Sequence, residues 1–178
     1  FHIHDMNRPN DTPEVIKLEE LETEYSRLQF LVDTGNERIQ KEMQISLQAG
    51  ELVGKLYDAL LKQYDDNSPE ALRWLNILCV RIVFCLYAED AGVFSRDQFH
   101  DYLTKFDTDG MRQALIQLFQ TLNTKEENRS KFLRDDLKAF PYTNGGLFEE
   151  EIDIPQFTEE LRETLLQNAS LDFDWSEI

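Results

Sequence analysis

No Gly-x-Gly spacing occurs anywhere in this sequence, and of its 7 glycines only Gly145 and Gly146 are adjacent. That pair follows no strand-to-helix pattern, so neither a glycine-rich cofactor loop nor a phosphate-cradling loop with its lysine is present. The absence of a Pro-Pro pair removes a catalytic loop of the Asn-Pro-Pro-Tyr type. Cysteine is limited to Cys79 and Cys85. Six residues of helix, about 600° of rotation, turn these two to different faces, so a disulfide or metal pair is not expected. Both sit in the most apolar segment, where free cysteine acts as a small hydrophobe and suits a reducing cytoplasm. Histidine is confined to His2, His4 and His100, too few for an evident metal site. Positive charge is scarce: 18 Lys and Arg against 35 Asp and Glu leave a net charge of −17. Such a surface repels nucleic-acid phosphates at long range, so any DNA contact is expected to be local.

Long apolar runs are missing too. The richest, residues 74–88, is broken by Asn76 and Arg81 and is shorter than the roughly 20 residues of a membrane helix, so no span is expected. The chain begins at Phe1 with no initiator methionine and no apolar leader, which reads as a fragment of a longer polypeptide. With 41% hydrophobic and 30% charged residues in 178, the balance is that of one folded domain, not a disordered chain.

What is present is helical periodicity. Residues 1–16, with Pro9 and Pro13, lack it and read as the exit from a preceding domain. Leu18, Leu21, Tyr25, Leu28 and Leu31 then predict a short amphipathic helix ended by Asp33-Thr34-Gly35-Asn36. A longer helix is expected over 37–64, with Ile39, Met43, Leu47, Val53, Leu56 and Leu60 on its apolar face. Gly50 and Gly54, four apart, fit either a close helix contact or two tolerated glycines.

Ser68, Pro69 and Glu70 form an N-cap, a first-turn proline and a first-turn acid, predicting a helix to Asp90. Because residues 74–88 are apolar on every face except at Asn76 and Arg81, this helix is expected at the centre, surrounded by the others. Arg81 then needs a carboxylate from another helix, with Asp58 or Glu51 as candidates. Glu89 and Asp90 oppose the dipole at the helix C-terminus, which points to loop-anchoring or interface contacts ahead of acid-base chemistry.

Beyond Gly92, Ser95 with Gln98 and Thr124 with Glu127 make two capping-box patterns, the first ahead of Phe99, Tyr102 and Leu103, the second ahead of Phe132, Leu133 and Leu137. Met111, Leu115, Leu118 and Leu122 predict a helix between them. Asn144-Gly145 between aromatic and apolar flanks predicts a tight turn or small hairpin, and Ile152, Ile154 and Phe157 read as extended chain. Thr158-Glu159-Glu160 opens a last helix, and 171–178 is an exit segment. Asp136-Leu137-Lys138 is the nearest approach to a magnesium-dependent nuclease set, but it has no acidic strand upstream.

Three stretches resemble the helical spacer of MmeI-like (type IIG/IIL) restriction-modification enzymes of bacteria. They are residues 78–92 (Leu-Cys-Val-Arg-Ile-Val-Phe-Cys-Leu-Tyr-Ala-Glu-Asp-Ala-Gly), 140–148 (Phe-Pro-Tyr-Thr-Asn-Gly-Gly-Leu-Phe) and 173–178 (Phe-Asp-Trp-Ser-Glu-Ile). The caps and periods above predict a mainly α fold, a multi-helix bundle around a central apolar helix, with a small β-hairpin or extended element near 140–155, and the resemblance implies a helical domain too. It also implies a longer chain in which a nuclease segment precedes the spacer and an S-adenosylmethionine-dependent methyltransferase follows. The reaction so implied is methyl transfer to adenine N6 in duplex DNA, which requires flipping the base out of the stack. On this reading 1–16 leave a nuclease-like domain, 17–171 form the spacer and 172–178 lead into the methyltransferase. The expected partners are neighbouring domains of the same polypeptide, and DNA at most locally.

No catalytic, cofactor or metal residue is expected here; S-adenosylmethionine and magnesium would belong to the neighbouring domains. Arg81, Glu89, Asp90, Asn144, Gly145 and Gly146 are the candidates for structural or interdomain roles. Two other classes remain open: an acidic interaction module or DNA mimic, and, weakest, a metal-dependent hydrolase.

Overall fold

The structure, a computed structural model, describes residues 2–3, 12–28, 30–64, 68–143 and 145–178, with backbone alone at 14, 30–38 and 168. It divides into two compact units, residues 1–44 and 45–178. The sequence expectation set a boundary at 16/17; the units divide between Gln44 and Ile45, inside a continuous helix.

In the first unit two short strands, β1 (His2–Ile3) and β2 (Glu14–Val15), pair antiparallel, His2 opposite Val15. A 3-10 turn, Leu18–Glu20, leads into α1 (Leu21–Glu24) and a second 3-10 turn, Tyr25–Leu28. Helix α2 (Phe30–Leu61) then runs straight through Asp33-Thr34-Gly35-Asn36, where the sequence predicted a stop. Turn-prone residues are only weak helix breakers when the helix continues on both sides.

The second unit holds a single apolar core that takes residues from the end of α2 onward. Leu56 and Leu60 enter it from α2, whereas Ile39, Met43 and Leu47 of the expected apolar face are exposed. A Cβ on Gly50 or Gly54 would meet nothing within 4 Å, so these glycines accommodate no close helix contact. Helix α3 (Pro69–Asp90) starts as predicted: Ser68 Oγ accepts from the Ala71 N–H at 3.1 Å, and Pro69 fills the first turn. It ends on Gly92, whose φ of +73° reverses the chain at little steric cost.

Helix α3 is not enclosed on all sides. Leu75, Leu78, Ile82, Cys85 and Leu86 are buried, but Arg73, Asn76, Val80 and Tyr87 form an exposed stripe, with Val80 at 55%. Asn76, one of the two polar residues of the apolar segment, lies on this stripe and reaches water. At 22 residues α3 has the length and composition to cross a membrane, yet half of its apolar window is buried in this core. It packs as an ordinary core helix. Cys79 and Cys85 are free and buried in it.

Around it stand α4 (Gln98–Thr104), α5 (Thr108–Leu122), α6 (Asp135–Lys138) and α7 (Glu159–Glu163), the last continuing as a π-helix over Thr164–Ala169. Asp107 caps α5 through Gly110 N–H, and Thr158 caps α7 through Leu161 N–H. Neither predicted capping box forms whole. Gln98 Oε1 does accept from Ser95 N–H, but Asp97, at φ +55°, is the cap residue; Thr124 instead donates to the Gln120 carbonyl. Without that second start, 126–134 holds only a 3-10 turn (Glu126–Asn128), and Phe132 lies outside any helix, exposed.

Among the described residues 140–155 contain no strand, so the expected hairpin does not form; residues 145–150 are bends and turns, and 151–155 carry no regular element. Side-chain packing, not a ladder, fixes this segment. Phe94 meets Phe140 edge-on at 5.1 Å, Phe84 meets Phe148 at 5.7 Å, and Tyr102, whose hydroxyl donates to the Ala114 carbonyl, meets Phe140 at 5.7 Å.

Replacing Ile82 by Ala should destabilise the chain by about 3 kcal/mol in urea unfolding, through lost burial and the cavity left behind. Replacing Val80 by Thr, on the exposed stripe, should change it by less than about 0.5 kcal/mol.

Candidate functional site

Arg81 is 2% exposed and lies inside the core. Its Nε donates to the Leu147 carbonyl at 2.8 Å and its Nη2 to the Glu150 carbonyl at 2.6 Å. The guanidinium also stands 5.4 Å from the ring centre of Phe119 and 5.6 Å from that of Phe148. The partner expected from Asp58 or Glu51 is thus replaced by two main-chain carbonyls. A guanidinium forks to reach two acceptors at once, and the non-regular segment 147–150 offers carbonyls that no ladder satisfies. Burial lowers the Arg81 pKa, and the nearby Glu150 carboxylate works against that. Glu150 is held again at its side chain by Arg73, at 2.8 Å.

The turn that delivers Leu147 is made by glycines. Gly145 has φ +142° and Gly146 φ +77°, both costly for a residue with a Cβ, and Glu149 N–H closes on the Gly146 carbonyl at 3.2 Å. Asn144 lies outside the described residues. Just upstream, Thr143 N–H donates to the Leu122 carbonyl at the end of α5. The glycine pair has no strand before it and no helix opening after it among the described residues, so it does not fit the phosphate or methionine end of a cofactor.

Glu89, 7% exposed, reaches away from its own helix. Its Oε1 accepts from the N–H groups of Phe99 at 2.5 Å and His100 at 3.2 Å, filling the N-terminus of α4 that the Asp97 side chain leaves uncapped. Burial pushes the Glu89 pKa up to about 7; the two N–H donors oppose that shift, while Asp90 and Asp97 add to it. Asp90 Oδ2 accepts from Trp175 N–H at 2.7 Å, and burial raises its pKa as well. Trp175 is 2% exposed, donates its indole N–H to the Ala169 carbonyl at 2.6 Å and stacks edge-on with Phe173 at 5.0 Å. Residues 172–178, expected as a linker, therefore carry a core residue.

The described candidates do not converge on one pocket. Arg81 with Gly145 and Gly146 secures one strap, and Glu89 with Asp90 secures α4 and the C-terminal segment. Sequence reading missed Arg129, which donates to the carbonyls of Thr121, Thr124, Lys138 and Phe140, and Arg112, which holds the Ile154 carbonyl and Asp153. Both sit beside exposed residues with nothing in their spacing to mark them. Asp136, once weighed as a magnesium ligand, is bound by Lys105 and Arg134, which hold its carboxyl below the usual range against the opposing effect of burial. No group of three His, Cys, Asp or Glu among the described residues is placed to hold a metal ion.

These contacts define a helical domain whose buried polar groups bind its own backbone. Comparison with known proteins agrees. Residues 1–63 match the model of the MmeI N-terminal domain, and residues 73–148 match that of the MmeI helicase spacer domain. DNA methyltransferase A of Bacillus subtilis (strain 168) is 31% identical over 172 residues, which is 92% of this chain and 18% of that protein. The solved structure of the type IIL restriction-modification enzyme MmeI in complex with DNA superposes with a TM-score of 0.62 at 41% identity, covering 72% of this chain and 17% of that one. The chain belongs to the MmeI-like restriction-modification family, and within it spans under a fifth of the length of either relative.

Two measurements probe the site. Arg81→Met leaves the Leu147 and Glu150 carbonyls without donors and should cost about 3 kcal/mol in urea unfolding, against under about 0.5 kcal/mol for a surface arginine. Glu89 binds its proton more tightly folded than unfolded, so its contribution to stability is greatest at low pH and falls as pH rises from 4.5 to 7. Melting temperatures across that window should fall more steeply for the wild type than for Glu89→Gln; equal slopes would show that Glu89 does not titrate there.

Proposed function

We propose that this chain is a non-catalytic helical spacer within a restriction-modification polypeptide. In this reading it fixes the separation and orientation of a nuclease-like module and an S-adenosylmethionine-dependent DNA adenine-N6 methyltransferase module. The observation that carries it is the use made of the buried polar side chains in residues 45–178. Arg81 and Asp90 hold main-chain atoms of segments far along the sequence, and Glu89 holds the start of the next helix, which makes those segments part of one stiff body. A spacer transmits geometry only if its loops and its ends are as firmly held as its helices. The family match to a spacer domain supports the same role.

A second reading is favoured by one feature. Asp90, Asp97, Asp101, Asp172 and Asp174 line a cleft of about 940 Å³ between the α3–α4 turn and the C-terminal segment, with Arg96 as its lone Lys or Arg. In a chain of net charge −17 this cleft suits a basic partner, as an acidic interaction module or DNA mimic would. Salt-sensitive association with a basic protein is its signature.

The spacer reading predicts that the chain gives no saturable heat with S-adenosylmethionine at roughly micromolar concentration and transfers no labelled methyl group to DNA. It further predicts that the amides of Thr143 and Trp175 exchange with solvent as slowly as those inside α3. Cofactor binding would sink the first part, and fast exchange at either amide the second.

A further inference from the structure

Phe132 is 97% exposed, more than any other large apolar side chain described in the chain. It is not the tip of a slack loop. Arg129 ties the turn at both ends, to the Thr121 and Thr124 carbonyls at the end of α5 and to the Lys138 and Phe140 carbonyls around the end of α6. Ser130 Oγ accepts the Phe132 N–H itself at 3.2 Å. A phenyl ring held in water by a clamped turn marks a contact surface, since burying it against a partner recovers free energy that the isolated fold forgoes.

Beside the ring, the outer face of α5 and the turn enclose a hollow of about 420 Å³ with no carboxylate in its lining. A smaller depression that shares Arg129 and Ser130 with it adds Lys131, Lys138 and one acid, Glu126. The two hollows together are lined by four cations and one anion, within a chain whose net charge is −17. Arg134 and Lys138 are paired with Asp136 and Asp135, and Arg129 is spent on four carbonyls, so Lys131 is the cation with neither an ion pair nor a hydrogen bond at its ammonium among the described residues. The side-chain amides of Gln117, Gln120 and Asn128, which also line the larger hollow, likewise have no hydrogen bond among the described residues.

We propose that this surface contacts the phosphodiester backbone of DNA, with Phe132 against a sugar or base face. Uncharged amides and the Ser130 hydroxyl, mixed with a free ammonium, are donors that phosphate and sugar oxygens take, and an aromatic ring beside them adds sequence-tolerant stacking. An acidic peptide would satisfy Lys131 but would leave the row of neutral donors without an evident purpose. The global negative charge keeps the contact weak and local, one that matters once DNA is held by other parts of a larger assembly. This contact stands or falls separately from the spacer role, which the cofactor and exchange measurements address.

Fluorescence anisotropy of a labelled duplex of mixed sequence, titrated with the chain between roughly 50 and 200 mM salt, tests it. Saturable binding is expected near the weak end of non-specific affinities, a Kd of about 10⁻⁴ M at the higher salt. Lys131→Glu should weaken it roughly tenfold and lower the salt slope by about one, while Phe132→Ala weakens it with the slope unchanged. Both residues are exposed, so circular dichroism and melting temperature should match the wild type. Lys55→Glu, the same charge change on an exposed lysine of α2, should have a much smaller effect. Absence of saturable binding overturns the proposal, as does equal weakening by the Lys55 and Lys131 variants. So does a wild-type self-association that Phe132→Ala abolishes with DNA binding intact, which would mark the ring as a protein-docking anchor.

Discussion

The guanidinium of Arg81 sits where a core helix ordinarily places an aliphatic side chain, and the second unit is organised around satisfying it. A buried cation costs several kcal/mol unless its donors are used, and here they meet carbonyls of an irregular segment that has no ladder of its own. The need is mutual: the strap 147–150 requires donors, and the arginine requires acceptors. The same exchange recurs at Arg112 with Ile154, at Arg129 with four carbonyls and at Arg162 with Phe106. In a chain so rich in carboxylates, arginine's most consequential partners are main-chain oxygens. Lysine could not substitute, because a single ammonium does not present the planar fork that reaches two carbonyls in a fixed geometry.

The three stretches that carried the family resemblance are separated in sequence but joined in space. Arg81 of the first reaches Leu147 of the second, Phe84 of the first packs on Phe148 of the second, and Asp90 of the first holds Trp175 of the third. What looked like three independent signatures is one set of contacts around α3. This is why Glu89 and Asp90, side by side at a helix end, read poorly as an acid-base pair. Each is occupied with a different piece of backbone, one opening α4 and the other fastening the C-terminal segment.

Local chemistry was legible wherever it decided the outcome. The Ser68-Pro69-Glu70 start of α3, the Thr158 cap of α7 and the apolar series of α5 could be read directly, because caps and helical periods act within a few residues. The mainly α class followed from them. What could not be read was which covering each apolar face receives. Ile39, Met43 and Leu47 have a sound helical period and remain exposed, and Val80 opens a stripe on a helix whose composition promised enclosure. The Arg81 partners were illegible for a different reason: a backbone carbonyl has no letter in the sequence, so the search went to carboxylates. The Thr124 and Glu127 pattern failed because Thr124 was already committed to Gln120, a competing local bond that its side chain makes as readily as a cap.

The π-helical turn at Thr164–Ala169 fixes how the end of the chain is aimed. Its wider spacing, with Ser170 N–H reaching back to Leu165, lets the adjacent Leu165 and Leu166 both face the interior. Such a turn is equivalent to one surplus residue in an α-helix. Winding the same residues as ordinary α-helix would no longer absorb that surplus and would swing everything downstream by about 100°, carrying the Trp175 N–H away from the Asp90 carboxylate. The length of this one turn, to the residue, is the phase setting by which the final segment finds its seat.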